Sequence, residues 1–381
     1  MSSRAKIETI QVLRGIGALG VLLWHVSFFT GAYGTGLAGA LFHPGSIMGV
    51  DMFFLICGFV IFTSATKGDA DKLQTQPALD FLVRRMVRIY PLYFACTLIL
   101  FSIEYGADRQ TIPLLLRSLL FLPTDNTALP NIFQPTMTVG WSITYEIIFY
   151  ATFAAALCFR TNVLQALCFW AIAVILSPAI LEGNIWLDPT FIAQRPSAFL
   201  AIAANPLNLL FVVGVMIGVI YRSPLKFPSR RAARWAILCA SAICIAQYAF
   251  HWNISHGMKG VGLPLAALLL VLVIAEKTER FEMPRALVFL GDISYSIYLI
   301  HPITIWMAIG INVYFNLGNP LQGWFLVVLT TVATIPMAAI SYALIEQKLG
   351  RRLSRIAQDA NLRLQMAILP AFSRFRLSKA R

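Results

Sequence analysis

Charge is scarce in this 381-residue chain: Asp, Glu, Lys and Arg make up only 12% of it, whereas 58% is hydrophobic. A soluble domain of this length does not carry so much apolar surface. Acidic residues are the scarcest, and 30 Lys and Arg against 17 Asp and Glu give a formal net charge of +13. The composition therefore excludes an ordinary soluble domain and indicates a membrane protein.

Cysteine is also rare, and its spacing argues against two further classes of protein. The six cysteines lie in or beside apolar segments, without a CxxC pair. This is typical of small core residues rather than of a disulfide framework or a zinc site, and we expect no metal. The sequence shows no convincing internal repeat, so a transporter built from two repeated halves gains no support.

Hydrophobic segments of about 20 residues, the length that crosses a bilayer as a helix, recur along the whole chain. They are continuous rather than alternating, which disfavours transmembrane strands. We therefore predict an all-α fold, a polytopic transmembrane helical bundle. Its spans, about ten in number, are 10–29, 46–66, 89–105, 139–158, 163–181, 196–221, 235–250, 260–275, 287–310 and 322–345.

The distribution of positive charge predicts the orientation of the bundle. If the N-terminus is cytoplasmic, 25 of the 30 Lys and Arg lie in inner loops. This bias follows the positive-inside rule and places both termini in the cytoplasm. The basic excess is then mainly a topological signal, so no nucleic-acid partner is expected. Segment 10–29 is too long for a cleavable signal peptide.

Two segments stand apart from the spans. The external loop 106–138 contains a stretch, 112–123, that is too short to cross the membrane and is predicted to lie at the interface or dip inward. Residues 1–346 form the predicted transmembrane domain, followed by a basic cytoplasmic tail at 347–381. Within that tail, 348–369 has the pattern of an amphipathic helix on the inner leaflet.

The first span carries two polar side chains, Arg14 and His25. Eleven residues separate them, so they lie on one stripe of the helix, about 16 Å apart along its axis. A charge at such a depth normally faces a protein interior or an aqueous cavity. In the alternative interpretation, Arg14 extends to lipid headgroups and His25 is a core histidine with a structural hydrogen bond.

Polar residues of other spans are expected at the same two depths. One group, at the outer level of His25, consists of Asp51, Glu146 and His301. A second group, near the inner face with Arg14, consists of Arg84, Arg85 and Arg88. Each has a plainer interpretation, such as helix capping for Asp51 or a topology signal for the arginines. Together, four ionisable groups at one depth favour a functional site.

Six sequence blocks occur in an order that resembles a known family. They are IQVLRGIGALGVLLWH, GVDMFFLICGFVI, RRMVRIYPLYF, WSITYEIIFY, FLGDISYSIYLIHP and YALIEQKLG. Over residues 7–346 the chain resembles acyltransferase family 3, the multi-span O-acyltransferases of bacterial envelopes and exopolysaccharides, and in particular its exopolysaccharide-production subgroup. The departures are Cys57, where the family commonly has Ser, and Thr144 with Tyr145 before Glu146.

The resemblance implies acyl transfer from cytoplasmic acyl-CoA, usually acetyl-CoA, to a sugar hydroxyl at or beyond the outer face of the bacterial inner membrane. It also implies that Arg14 and His25 are essential, with the arginine block and Glu146 in support. The expected partners are thus an acyl-CoA donor, a glycan acceptor and the lipid bilayer. Guanidinium groups suit phosphates, and the expected acyl-CoA-binding residues are Arg14, Arg84, Arg85 and Arg88.

For the chemistry we expect His25 to act as general base, because histidine titrates close to neutral pH. Asp51 or Glu146 is expected to orient its imidazole. The supporting and oxyanion candidates are Trp141, Ser142, Tyr295 and His301. A covalent acyl-histidine relay stays open beside direct transfer. A proton-coupled glycan transporter or flippase and a non-catalytic scaffold are the alternative functions.

Overall fold

The computed structural model describes residues 7–30, 36–67, 74–106, 108–123, 136–159, 162–183, 187–190, 197–316, 320–357 and 359. These residues are almost entirely helical, which confirms the all-α prediction. The α-helices of the described chain are α1 Glu8–Phe29, α2 Leu37–Ala65, α3 Ala78–Tyr105, α4 Ile112–Leu119, α5 Gly140–Leu157, α6 Val163–Glu182, α7 Ala198–Ala203, α8 Leu209–Arg222, α9 Arg230–Phe250, α10 Leu263–Thr278, α11 Arg285–Asp292, α12 Ser294–Phe315 and α13 Pro320–Ser341.

Shorter elements join or extend these helices. Two-residue strands β1 Thr66–Lys67 and β2 Gln74–Thr75 form an antiparallel hairpin between α2 and α3. Turns of 3₁₀-helix occupy Arg109–Thr111 and Pro206–Asn208. π-Helical segments occupy Met258–Gly262, before α10, and Tyr342–Leu349, after α13.

Seven helical segments of the described chain are long and apolar enough to cross a membrane. They are Glu8–Phe29, Leu37–Ala65, Ala78–Tyr105, Arg230–Phe250, Met258–Thr278, Ser294–Phe315 and Gly323–Ala357. Each of the ten predicted spans contains a helix, but the number of crossings and the cytoplasmic termini stay predictions. Helix α4 occupies the stretch predicted at the interface, and residues 124–135 of that loop lie outside the described residues.

The central helix α2 packs against α1 and α8 through glycines. A Cβ added at Gly49 would lie 2.5 Å from the Gly17 carbonyl oxygen on α1. On the other side of α2, a Cβ at Gly214 of α8 would lie 2.1 Å from the Leu55 carbonyl oxygen. Helices inside lipid gain little from hydrophobic burial, so close backbone approach at small residues supplies much of their packing energy. The glycines therefore set the distances between the three helices.

An aromatic core fixes α2, α5 and α8 relative to one another. The Phe211 ring lies 4.6 Å from Phe54 and 4.5 Å from Phe149, measured between ring centroids. Such pairs contribute about 0.5–1.5 kcal/mol each beyond the area they bury. Because Phe54 and Phe149 lie within one turn of Cys57 and Glu146, the core also fixes the faces that carry these two side chains.

Basic side chains gather at one end of the bundle, where they complete helix C-termini. Arg222 donates to the Thr63 carbonyl oxygen at 2.9 Å, and Lys277 Nζ donates to the Tyr221 carbonyl oxygen at 3.1 Å. Positive charge is favourable at the carbonyl end of a helix, where both the unpaired oxygens and the helix dipole attract it. We call this the basic end of the molecule.

The last helix continues past its predicted end. After α13, the π-helical segment Tyr342–Leu349 leads without interruption into further helix as far as Ala357. The boundary predicted between residues 346 and 347 therefore falls inside a continuous helix. Residues 360–381, which make up most of the predicted tail, lie outside the described residues.

Replacing Gly214 by alanine tests the close contact between α2 and α8. The new Cβ has to displace backbone, so we expect Gly214→Ala to destabilise the protein by roughly 1–3 kcal/mol. Gly310→Ala is the matched control, because nothing lies within 4 Å of a Cβ at that helical position. Thermal unfolding in detergent measures both. An equal melting temperature for the two variants would contradict the packing described here.

Candidate active site

A cavity of about 110 Å³ lies inside the bundle among α1, α2, α3, α5 and α12. We call it the inner cavity. Isoleucine, valine and phenylalanine form its apolar wall. Its polar lining residues are Arg14, Cys57, Arg85, Arg88, Ser142, Glu146, Tyr150, Ser294, Tyr295 and Tyr298. The structure thus brings together six of the residues selected from the sequence: Arg14, Arg85, Arg88, Ser142, Glu146 and Tyr295.

An open recess of about 740 Å³ adjoins the inner cavity at the basic end. Arg14 and Arg88 lie on the walls of both spaces. The other charged residues that line this basic recess are Arg84, Asp292, Glu346, Arg351 and Arg355. Positive charge therefore continues from the recess into the interior, with Arg14 and Arg88 at the junction.

The arginines of the inner cavity are held mainly by neutral groups. Arg85 donates to Ser64 Oγ at 2.5 Å, and its guanidinium carbon lies 5.4 Å from the Phe81 ring centroid. Arg14 is half-buried and donates to Gln11 Oε1 at 3.4 Å, whereas Arg88 is exposed and forms no hydrogen bond with a described residue. No described carboxylate lies within 4.0 Å of their guanidinium nitrogens. Such groups suit an anionic ligand.

Glu146 is the carboxylate of the inner cavity. The Tyr150 hydroxyl, one helical turn further along α5, donates a hydrogen bond to Glu146 Oε1. The Cys57 thiol on α2 donates to the same oxygen at 3.3 Å. Because Glu146 shares the cavity with the three arginines, it offsets part of their charge without forming a close ion pair.

His25 and His301 form a stacked pair, with ring centroids 5.1 Å apart and planes inclined by 28°. His25 Nδ1 lies 3.0 Å from the Val21 carbonyl oxygen, and His301 Nδ1 lies 3.2 Å from that of Ile297. These nitrogens therefore donate, and each Nε2 keeps its lone pair. His301 Nε2 is buried without a hydrogen-bond partner among the described residues.

Tyr298 links the histidine pair to the inner cavity. It lines the cavity, and its ring centroid lies 5.8 Å from that of His301. Its hydroxyl is 2.7 Å from Ser142 Oγ and donates to the Val139 carbonyl oxygen at 3.1 Å. Tyr298 therefore connects the cavity to His301, and His301 in turn stacks on His25.

Asp51 has a partner that the sequence did not indicate. Its Oδ1 lies 2.6 Å from His256 Nδ1, and its Oδ2 accepts from the Gly257 amide at 2.7 Å. The expected hydrogen bond from His25 to Asp51 or Glu146 is absent from the described contacts, since Nδ1 of His25 faces its own helix backbone. Helical rise had placed these groups at one depth but not beside one another.

The remaining candidates are distributed around the same region. The Tyr295 hydroxyl donates to the Ile89 carbonyl oxygen at 2.8 Å, which occupies its proton. Trp141 lies against His256, with ring centroids 5.7 Å apart. Arg84 lies on the basic recess and donates to Gln76 beside the β-hairpin. In the described chain, no three His, Cys, Asp or Glu side chains gather as metal ligands would.

Several residues of the site were not selected from the sequence. They are Tyr150, His256, Tyr298, Glu346, Arg351 and Arg355. The i, i+4 spacing of Tyr150 from Glu146 is a signal that would have found Tyr150. His256 carries no such signal, because 205 residues separate it from Asp51.

Comparison with known families decides what this arrangement belongs to. The family model described as an acyltransferase domain, that of acyltransferase family 3, matches residues 7–342. The chain belongs to acyltransferase family 3. The match covers every helix that contributes a candidate residue selected from the sequence, so the protein is a multi-pass membrane acyltransferase.

Curated relatives of this family member span most of its length. The exopolysaccharide production protein ExoZ of Rhizobium meliloti (strain 1021) is 28% identical over 322 residues, covering 80% of this chain and 89% of the relative. Nodulation protein 10 of Rhizobium leguminosarum bv. viciae is 24% identical, covering 79% and 82%. Acyltransferase MdmB of Streptomyces mycarofaciens is 26% identical, covering 78% of each chain. No solved structure matches.

Thiol labelling of Cys57 tests whether the inner cavity is accessible through the basic recess. A variant whose only cysteine is Cys57 should react with a small, negatively charged methanethiosulfonate reagent in the native state, because Cys57 lines the cavity and the arginines attract an anion. A variant that retains only Cys96 should not react, since that side chain is 1% exposed and does not line the cavity. Mass spectrometry of intact protein reads both. Labelling of Cys57 only after denaturation would show that the cavity is closed.

Proposed function

We propose that this membrane acyltransferase transfers an acyl group, in the first instance acetyl, from acyl-CoA to a hydroxyl of a cell-envelope or extracellular polysaccharide or of its lipid-linked precursor. One observation carries the proposal: guanidinium groups, with no carboxylate of the described residues within 4.0 Å of those in the inner cavity, lead from an open basic recess into this small cavity. Coenzyme A has phosphates at one end and the thioester at the other. An elongated anionic carrier of this kind fits the arrangement.

The distribution of arginines indicates where each end of acyl-CoA binds. Guanidinium groups form bidentate hydrogen bonds with phosphates, so the nucleotide end binds in the basic recess. The residues assigned to it are Arg84, Arg88, Arg351 and Arg355. Arg14 and Arg85 then face the pantetheine arm. The thioester and a short acyl chain occupy the inner cavity, whose volume of about 110 Å³ favours a small acyl group.

In the proposed reaction His25 Nε2 accepts the proton of the acceptor hydroxyl while the hydroxyl oxygen attacks the thioester carbonyl carbon. The carbon–sulfur bond then breaks, and the proton passes to the leaving CoA thiolate. Ser142 and Tyr298, whose hydroxyls are 2.7 Å apart, are the proposed donors to the developing oxyanion, for which they exchange their hydrogen bonds to the Val139 carbonyl oxygen for bonds to the substrate. His301 lies against the base, and Glu146 balances the arginines. A covalent acyl-histidine relay is the alternative route.

The acceptor and the location follow from the relatives and from the charge distribution. The name of ExoZ refers to exopolysaccharide production, which supports a glycan acceptor. Acyl-CoA is a cytoplasmic metabolite, so the basic recess faces the cytoplasm, in agreement with the positive-inside rule. We therefore propose that the protein lies in the bacterial inner membrane and that the acceptor reaches the histidine pair from the opposite side.

Two substitutions distinguish the role of the general base from that of the acyl-CoA-binding site. His25→Ala should lower kcat by about 10²–10⁴-fold, the usual contribution of a general base, with little change in acetyl-CoA binding. Arg88→Ala should raise KM for acetyl-CoA by about tenfold or more, because a charge-assisted hydrogen bond is worth roughly 1.5–3 kcal/mol. The assay is labelled acetyl-CoA turnover in proteoliposomes.

The matched control is Arg231→Ala, since Arg231 is an exposed arginine of α9 that lines neither the inner cavity nor the basic recess. This substitution should leave both kcat and the KM for acetyl-CoA unchanged. Full activity of purified His25→Ala protein would refute the assignment of the base.

The acceptor is found by comparing envelope and secreted glycans of a deletion strain and its parent by mass spectrometry. We expect the deletion to remove a mass increment of one acyl group per modified sugar, acetyl first. Complementation with the wild-type chain should restore it, and complementation with His25→Ala should not. Identical glycans in both strains, together with no acetyl-CoA turnover, would favour the transporter alternative.

A further inference from the structure

The connector between α9 and α10 carries a histidine, His256, that the proposed reaction does not use. Asp51 of α2 is completely buried and binds both the His256 ring and the Gly257 amide. Burying a carboxylate is very unfavourable unless its oxygens are paired. These two contacts satisfy one oxygen each, so they fix His256 to the central helix of the bundle.

The connector itself is rigid on both sides of His256. The Val261 amide donates to the Ser255 carbonyl oxygen, and the Gly262 amide to that of Gly257, both at 3.0 Å. Gly257 has a φ of +88°, and a Cβ there would lie 2.7 Å from Cγ of Pro189. The position of the imidazole is therefore set before any ligand binds, which lowers the entropic cost of binding to it.

One ring nitrogen of His256 is left for a ligand. In the neutral imidazole, Nδ1 donates to Asp51 and Nε2 carries a lone pair, as in other carboxylate–histidine pairs. This nitrogen makes no hydrogen bond with a described residue, and the side chain keeps 9% of its surface exposed. Trp141 lies beside it at an interplanar angle of 75°. A fixed hydrogen-bond acceptor thus lies next to an aromatic ring.

The pair lies close to the groups assigned to the reaction. Trp141 directly precedes Ser142, whose hydroxyl contacts that of Tyr298 at 2.7 Å. Tyr298 in turn contacts His301, which stacks on His25. From Ser142, the residue after Trp141, the contacts therefore run through Tyr298 and His301 to the proposed base.

We propose that Trp141 and the Asp51-bound His256 form a subsite for a sugar ring of the acceptor. The apolar C–H face of the ring packs on the indole, and a ring hydroxyl donates to His256 Nε2. This combination matches a carbohydrate, which presents an apolar face and a rim of hydroxyls. The inference rests on the proposed function, and it adds the residues that recognise the acceptor.

The test measures the KM for the acceptor and the KM for acetyl-CoA separately in proteoliposomes. The acceptor probe is the glycan extract of the deletion strain after base treatment to remove O-acyl groups. His256→Asn, whose side-chain amide keeps the hydrogen bond to Asp51 but does not reach the position of Nε2, should raise the KM for this extract by about tenfold, the effect of losing one hydrogen bond to a fixed polar group. The KM for acetyl-CoA, the acceptor-free hydrolysis of acetyl-CoA and the melting temperature should stay at wild-type values.

Further variants distinguish recognition of the sugar from a purely structural role in anchoring the connector. Trp141→Ala should raise the acceptor KM in the same way, whereas Trp141→Phe, which keeps an aromatic face, should restore it. His251→Asn is the control, because His251 is an exposed residue of the same connector. Its backbone has a left-handed conformation, which asparagine also adopts readily.

Two outcomes would overturn the subsite. One is an unchanged acceptor KM in both His256→Asn and Trp141→Ala. The other is a loss of stability and of donor binding in His256→Asn as large as the loss of acceptor binding, with no rescue by Trp141→Phe. That result would show that His256 only anchors the connector. Failure of the proposed function gives a different result, since the wild-type protein itself would then transfer no acyl group to the extract.

Discussion

Positive charge inside an apolar helical bundle is the constraint on which the rest of this structure depends. A guanidinium group in hydrocarbon is very unfavourable unless water or a counter-charge reaches it. Here the open basic recess gives Arg88 access to water, Arg85 lies over aromatic rings, and Glu146 contributes a carboxylate to the same cavity. These features stabilise the positive charges, and no carboxylate of the described residues lies within 4.0 Å of these guanidinium nitrogens. Their hydrogen-bonding capacity therefore suits an anionic ligand.

Close helix packing gives this charged region a fixed geometry. Glycines bring α1 and α8 against α2 at distances that any side chain would prevent, and aromatic rings bring α5 into the same core. Helix α1 carries Arg14 at the junction of the two spaces and His25 in the histidine pair. Because a helix is rigid over this length, the separation between the two side chains is constant. In the proposed reaction, a donor held at one end therefore meets the base at the other.

The histidine pair is held by helix backbone rather than by carboxylates. Asp51 is occupied by the connector between α9 and α10, and Glu146 by Tyr150 and Cys57. In the proposed reaction His25 is therefore a neutral base whose orientation comes from the Val21 carbonyl oxygen. The positive charge that develops on the imidazole is stabilised mainly by the negative charge that develops on the substrate. Because both charges develop only during the reaction, their attraction stabilises the transition state relative to the reactants and the products.

Hydropathy, helical rise and charge bias were enough to predict an all-α membrane protein, its helical segments, and the stripe shared by Arg14 and His25. Ordered motif blocks indicated the family, which the family comparison confirmed. The depth of each polar residue follows from its distance to a helix end, so the grouping of the arginines and that of His25 with His301 were also accessible. The prediction was wrong for Glu146, which lines the inner cavity with the arginines instead of lying with the histidines. The lateral neighbours were decided only by the tertiary structure, as the pairing of Asp51 with His256 and of Glu146 with Tyr150 shows. A linear pattern fixes height along the membrane normal, whereas rotation and partner choice depend on packing between helices that lie far apart in the chain.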